Sequence, residues 1–411
     1  MSRYWRILKF GAFGLGGLFG LGLIWLAVAN AQANEKLEEK LAALKAAGEP
    51  ISLAELARKP IPPETNAATF LNRAQDGMQA IEKPMSADFD DEADFYNGKP
   101  GGKYYQLAKD TLAANPEVVP LLEQAAACPD FDPQLNYQLE TTIFLEKEML
   151  PNFGRKRSAV RILNYQAHLN LCDGHPEKAF EQCLAMLRLA RLFENDPLLV
   201  NHLVVQAVRG VALSATDRVL RSGSLKPQMH DALEEELTRL DPAKAFQYVL
   251  RTDRAYGIDS FAELGSPLVG YMKLPSGKND ESSYLDLFAA MIADGPRLKP
   301  SEAVEKILAE SGPLTRLMAP IVYAVGETNT RTVANVRAIR LLNALLRGGR
   351  TAEQPDFKAL NLPEEVLVDP YNLKPLVVTR QPNGWLIYSV GKDLKDDGGK
   401  VQDHTDVGFG P

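Results

Sequence analysis

The chain has 411 residues, with 53 acidic and 46 basic side chains and a formal net charge of −7. That length exceeds one compact domain and predicts two folded units with accessory segments. The interspersed signs exclude nucleic acid as a partner, because that requires a basic face able to displace counterions.

The first feature in chain order is the uncharged run at residues 10–29. At about 1.5 Å per helical residue it spans the roughly 30 Å of hydrocarbon in a bilayer. Arg3, Arg6 and Lys9 precede it, whereas Glu35, Lys36, Glu38, Glu39 and Lys40 mix signs after it. The bias of positive charge predicts a single-pass anchor with a cytoplasmic N-terminus and an extracytoplasmic body. The alternative is a cleaved signal peptide using the small residues Ala29, Ala31 and Ala33, although the run exceeds the roughly 7 to 15 residues of a typical signal core. Ala12, Gly16 and Gly20 recur every fourth residue, a spacing that lets two such helices pack closely.

The expected organisation is an anchor at 1–33, a helical stalk and Pro-rich linker at 34–63, an α-helical body at 64–327 and a small α+β unit with a β-hairpin at 328–411. Leu37, Leu41 and Leu44 give the stalk an apolar stripe ending at Gly48, and Pro50, Pro60, Pro62 and Pro63 predict an extended spacer. The body begins with a helix capped by Thr65 and running to Ile81, and the acidic stretch 86–102 reads as a loop. Helices are predicted over 103–114, from Asn115 and Pro116 to Cys128, over 133–150 and 157–172, over 177–194 and over 198–220. The segment 163–190, with Gly174 at its turn, resembles one tetratricopeptide-type hairpin, but no second copy follows. Glycines and prolines between Gly257 and Pro300 predict an irregular excursion with one short helix over 282–293. Ser301 caps a further helix, and a long helical stretch to Leu346 carries Pro320 and Gly326 as expected kinks.

Candidate chemistry is sparse. Neither a nucleophile elbow, a phosphate-binding glycine loop nor an H-E-x-x-H pair occurs. His168, Cys172, His175 and Cys183 contain zinc-type ligand atoms, but Cys183 shares an apolar stripe with Phe180 and Leu187, and the spacing does not favour zinc. The carboxylate pairs Asp259 with Glu263 and Asp231 with Glu235 read as solvated helix faces. With three cysteines, Cys128, Cys172 and Cys183, there is no disulfide framework.

The tail differs in chemistry. Gly348 and Gly349 end the long helix, and residues 376–379 and 385–390 read as strands joined by an Asn383–Gly384 turn. Asp369 and Pro370, then Tyr388, Ser389, Gly391 and Asp393, then Gly398 and Gly399, then Asp406 and Val407, follow in an order that resembles the C-terminal domain of the major pseudopilin of type II secretion systems. The resemblance covers about the last eighty residues, and the chain's own N-terminus lacks the prepilin motif. It implies a calcium-binding loop with Ser389, Asp393 and Asp406 as first candidates. Asp397 and Asp403 add hard oxygens of the kind calcium takes in sets of about six to eight. The whole arrangement is similar to membrane-anchored bacterial envelope proteins, which implies that the anchor sits in a bacterial inner membrane. The expected role is therefore non-enzymatic binding or scaffolding with a protein partner. The alternatives are an exported hydrolase with its site between the body and residues 257–300, and an accessory part of a secretion apparatus.

Overall fold

The computed structural model describes residues 2–88, 95–96, 100–223, 225–264, 268–295, 300–348, 357–401, 403 and 405–411. It is mainly helical, with one small antiparallel sheet near the C-terminus. The helices are α1 (Ser2–Ala46), α2 (Ala67–Asp88), α3 (Lys103–Ala113), α4 (Val118–Ala127), α5 (Thr141–Phe144) and α6 (Leu150–Cys172). They continue as α7 (Pro176–Leu192), α8 (Leu199–Arg221), α9 (Pro227–Thr238), α10 (Pro242–Glu263) and α11 (Leu268–Met272). The last three are α12 (Pro275–Asp294), α13 (Glu302–Glu310) and α14 (Pro313–Arg347).

Local chemistry explains most boundaries. Asn66, one residue beyond the expected Thr65, caps α2: its Oδ1 accepts the Ala68 and Asp132 N–H groups, each at 3.0 Å. Ser301 caps α13 as expected, through the Val304 N–H. The helix expected over 133–150 is not continuous. Asn66 donates to the Asp132 carbonyl, Gln134 takes a positive φ of 56°, and helix begins only at Thr141. A π turn, Leu145–Met149, then joins α5 to α6.

The excursion expected at 257–300 is largely helical instead. Gly257 lies inside α10, where an added Cβ would sit 2.0 Å from the Tyr284 hydroxyl, and Pro275 opens α12. This glycine serves close helix packing and not a turn. Its neighbours Gly265 and Pro267 lie outside the described residues, as does most of the loop expected at 86–102. Likewise α14 continues through Pro320 and Gly326 to Arg347.

The largest core joins α2, α4, α6, α7 and α8 with the C-terminal third of α14, and it includes Trp385 and Ile387 of the tail. A second core is formed by α8, α10, α12 and α14 around Phe246, Leu250, Tyr284 and Phe288, and Leu37 of α1 is buried in it. The stalk therefore lies on the body. Lys40 pairs with Asp286 at 2.6 Å and donates to the Ser282 carbonyl, and Lys278 donates to Asn34 at 2.6 Å. The Pro-rich segment is fastened too: Leu53 is buried, and Arg58 binds Asp130 and the Phe131 carbonyl.

Strands β1 (Val377–Gln381) and β2 (Gly384–Ser389) form the expected hairpin, with Gln381 opposite Gly384. A third strand, β3 (Val407–Phe409), pairs with β2 and was not foreseen, because three residues are too few for a periodic signal. The sheet is held to α8 by Arg221, which donates to the Trp385 carbonyl at 3.0 Å, and to α14 by Ala334 packing with Tyr371 and Val407.

Candidate functional site

The acidic tail loop is closed by its own backbone. Asp406 is buried, and its Oδ2 accepts the Gly399 and Lys400 N–H groups at 2.8 and 3.0 Å, while Oδ1 faces the Asp397 N–H at 3.5 Å. Ser389 is also buried. It donates to Asp369 at 2.7 Å and accepts from the Gly391 N–H. Asp393 and Asp403 are exposed, and Asp397 is half-buried. Of the five candidates, Asp406 thus meets only the backbone N–H of Asp397, and Ser389 is turned toward Asp369. Among the described residues no three acidic, histidine or cysteine side chains group as a metal cage. Asp369, part of the Asp-Pro motif but not proposed as a ligand, is the hub: it also accepts the Tyr371 and Val390 N–H groups.

Of the zinc-type cluster, His168 and Cys172 meet at 3.5 Å. Burial and the Arg218 guanidinium push His168 down to about 4, and burial pushes the Cys183 thiol up to about 12. His168 packs on the Phe95 ring, with centroids 4.6 Å apart, and is buried as Cys183 is, whereas Cys172 is half-buried and His175 is exposed. Of the carboxylate pairs, Asp259 and Glu263 fasten distant segments, whereas Asp231 and Glu235 lie on an exposed helix face as expected. Asp259 accepts the Leu53 N–H at 2.6 Å, Glu263 accepts both donors of Thr141, Asp231 pairs with Arg347 and Glu235 with Arg239.

A fully buried ion pair stiffens the main core. Lys156 Nζ donates to Asp196 at 2.5 Å and to Asn201 at 2.6 Å, and Asn152 completes the carboxylate. Desolvation pushes Lys156 down and Asp196 up, and each is the charge that opposes the other's neutralisation. A separate cleft of about 770 Å³ is lined by Arg58, Arg191, Arg239 and Lys244, and its three guanidiniums pair with Asp130, Glu236 and Glu235 respectively.

The site with distinct chemistry is a cavity of about 290 Å³ in the second core. α8 supplies Leu199 and Val200, α10 supplies Asp253, Tyr256 and Phe261, α12 supplies Tyr284, and α14 supplies Leu314, Leu317, Met318 and Ile321. Asp253 is the lone acidic group among these walls. Its Oδ1 accepts the Leu199 N–H at 3.1 Å, no second donor to it is seen among the described residues, and burial pushes its carboxyl up to about 6. Tyr284 donates to the Asp253 backbone carbonyl, fixing the wall. Sequence reading missed this site, since its residues come from four separated helices and none forms a motif.

Comparison with known proteins finds no matching family model, no matching curated protein and no matching solved structure.

Proposed function

We propose that the protein is a binding or scaffolding protein of the bacterial envelope, anchored in the inner membrane by residues 10–29 with its body outside the cytoplasm. The observation supporting this reading is the continuity of α1. One unbroken helix carries the uncharged run and then docks on α12 through Leu37, Lys40 and Asn34. An anchor joined this way would hold the body at a set height and orientation on the membrane, which suits presentation of a binding surface. Among the described residues no helix is long and apolar enough to cross a membrane, and the side chains of residues 10–23 lie outside those described.

The test is alkaline extraction of membranes together with protease treatment of spheroplasts. The full chain should stay in the pellet, the body should be cleaved, and an N-terminal tag should be protected. Release of the chain by carbonate, or digestion of the tag from outside, would overturn the reading.

A further inference from the structure

We propose that the cavity between α8, α10, α12 and α14 binds a single-chain amphiphile, an alkyl chain ending in a hydrogen-bond donor such as a primary ammonium or a hydroxyl. Three observations carry this. The walls are hydrocarbon and aromatic, so water there would lose hydrogen bonds, whereas an alkyl chain would not. The volume of about 290 Å³ holds about ten methylene-sized groups at the roughly 30 Å³ a water-sized group occupies in a liquid. Asp253, only 8 % exposed, lines this space with a carboxylate that has a single N–H partner among the described residues.

A buried carboxylate with unused acceptor capacity costs stability unless a donor reaches it. A ligand whose head donates would supply that bond, while a carboxylate head would place two acceptors against each other. The apolar rim extends to the surface at Val200, Leu317 and Ile321, which are 43 %, 69 % and 47 % exposed and give the chain a continuous path inward.

The source of such a molecule rests on the membrane reading above, whereas its chemistry does not. Asp280 accepts the Leu314 and Thr315 N–H groups at the rim, two residues beyond Lys278, which binds Asn34. Asn34 lies about 8 Å past residue 29 along α1, at 1.5 Å per residue. The rim would then sit close to the bilayer surface, within reach of single-chain lipids.

Calorimetric titration of the full chain in lipid nanodiscs with octylammonium, 1-octanol and octanoate tests the assignment, with empty nanodiscs subtracted. Octylammonium should bind with one-to-one stoichiometry, octanol more weakly, and octanoate at least tenfold more weakly than octylammonium. Asp253→Asn should weaken octylammonium at least tenfold, and the surface variant Leu317→Glu, which leaves the core untouched, should weaken octanol. Equal binding of octylammonium and octanoate, insensitivity to both variants, or non-saturable partitioning alone would overturn the proposal. If carbonate releases the chain from membranes but octylammonium still binds one-to-one, the site stands and only its membrane source falls.

Discussion

Replacing Asp253 with Asn should stabilise the protein at neutral pH while removing its ligand contact. Asn has the same shape and keeps an oxygen for the Leu199 N–H, so at low pH it mimics the protonated acid. Burial lifts the folded-state carboxyl from 3.8 to about 6. The folded state therefore holds the proton more tightly than the unfolded chain. The stability tied to that proton is fully present below pH 4, declines as pH rises through 6, and is absent above it. Two pKa units at 1.36 kcal/mol each give a difference of about 3 kcal/mol. Urea unfolding of both full chains at pH 4, 5, 6 and 7.5, followed by circular dichroism, measures it. The variant should match the wild type at pH 4 and exceed it by about 3 kcal/mol at pH 7.5. A difference independent of pH, or a variant less stable at pH 7.5, would refute the argument that the carboxyl is buried without sufficient partners.

Asp196→Ala should cost about 3 to 5 kcal/mol, because it strands Lys156 in the core without its counter-charge; a urea titration showing a loss below about 1 kcal/mol would contradict that role. Asp369→Ala removes the acceptor of three donors, Ser389 Oγ, Val390 N and Tyr371 N, and should cost about 3 kcal/mol or more. Hydrogen exchange should then accelerate in β2 and β3, and unchanged protection there would count against the hub. The calcium expectation for the tail predicts a melting temperature that rises with millimolar calcium and no longer does so in Asp393→Ala. Coincident melts in calcium and in chelator would leave the Asp406 and Asp369 hydrogen bonds as the clamp.

Helices with local signals were legible in the sequence. The Ser301 cap, the Gly174 turn and the Asn383–Gly384 hairpin act within a few residues, so their chemistry is written contiguously. The misreadings share one cause. Gly257 looks like a breaker, yet it is there because the Tyr284 ring, 27 positions away, occupies the space of its Cβ. Pro275 looks like a breaker, but it opens a helix where its missing N–H costs nothing. The tail candidates were found because they cluster in sequence. What each carboxylate does was not legible, since an acidic side chain that closes a loop onto N–H groups has the same letter as one that holds an ion. Asp253 was passed over entirely: on a helix among Arg251, Arg254 and Asp259 it reads as another solvated charge.

Pro320 bears on how the cavity could open. It lies between Leu317 and Ile321, and without an N–H it cannot bond the carbonyl of Arg316, so the ladder of α14 is cut at the rim. Downstream, the same helix is pinned by Arg340 to Glu234 and by Ala334 to the sheet. Upstream, the first two turns, which form one wall of the cavity, are held as well: Asp280 accepts the Leu314 and Thr315 N–H groups, and Arg316 donates to the Leu308 and Ala309 carbonyls, so the cut in the ladder lies between two fastened ends. A guest at the rim would therefore load α14 at Pro320, between those two ends, and leave the C-terminal strands in place.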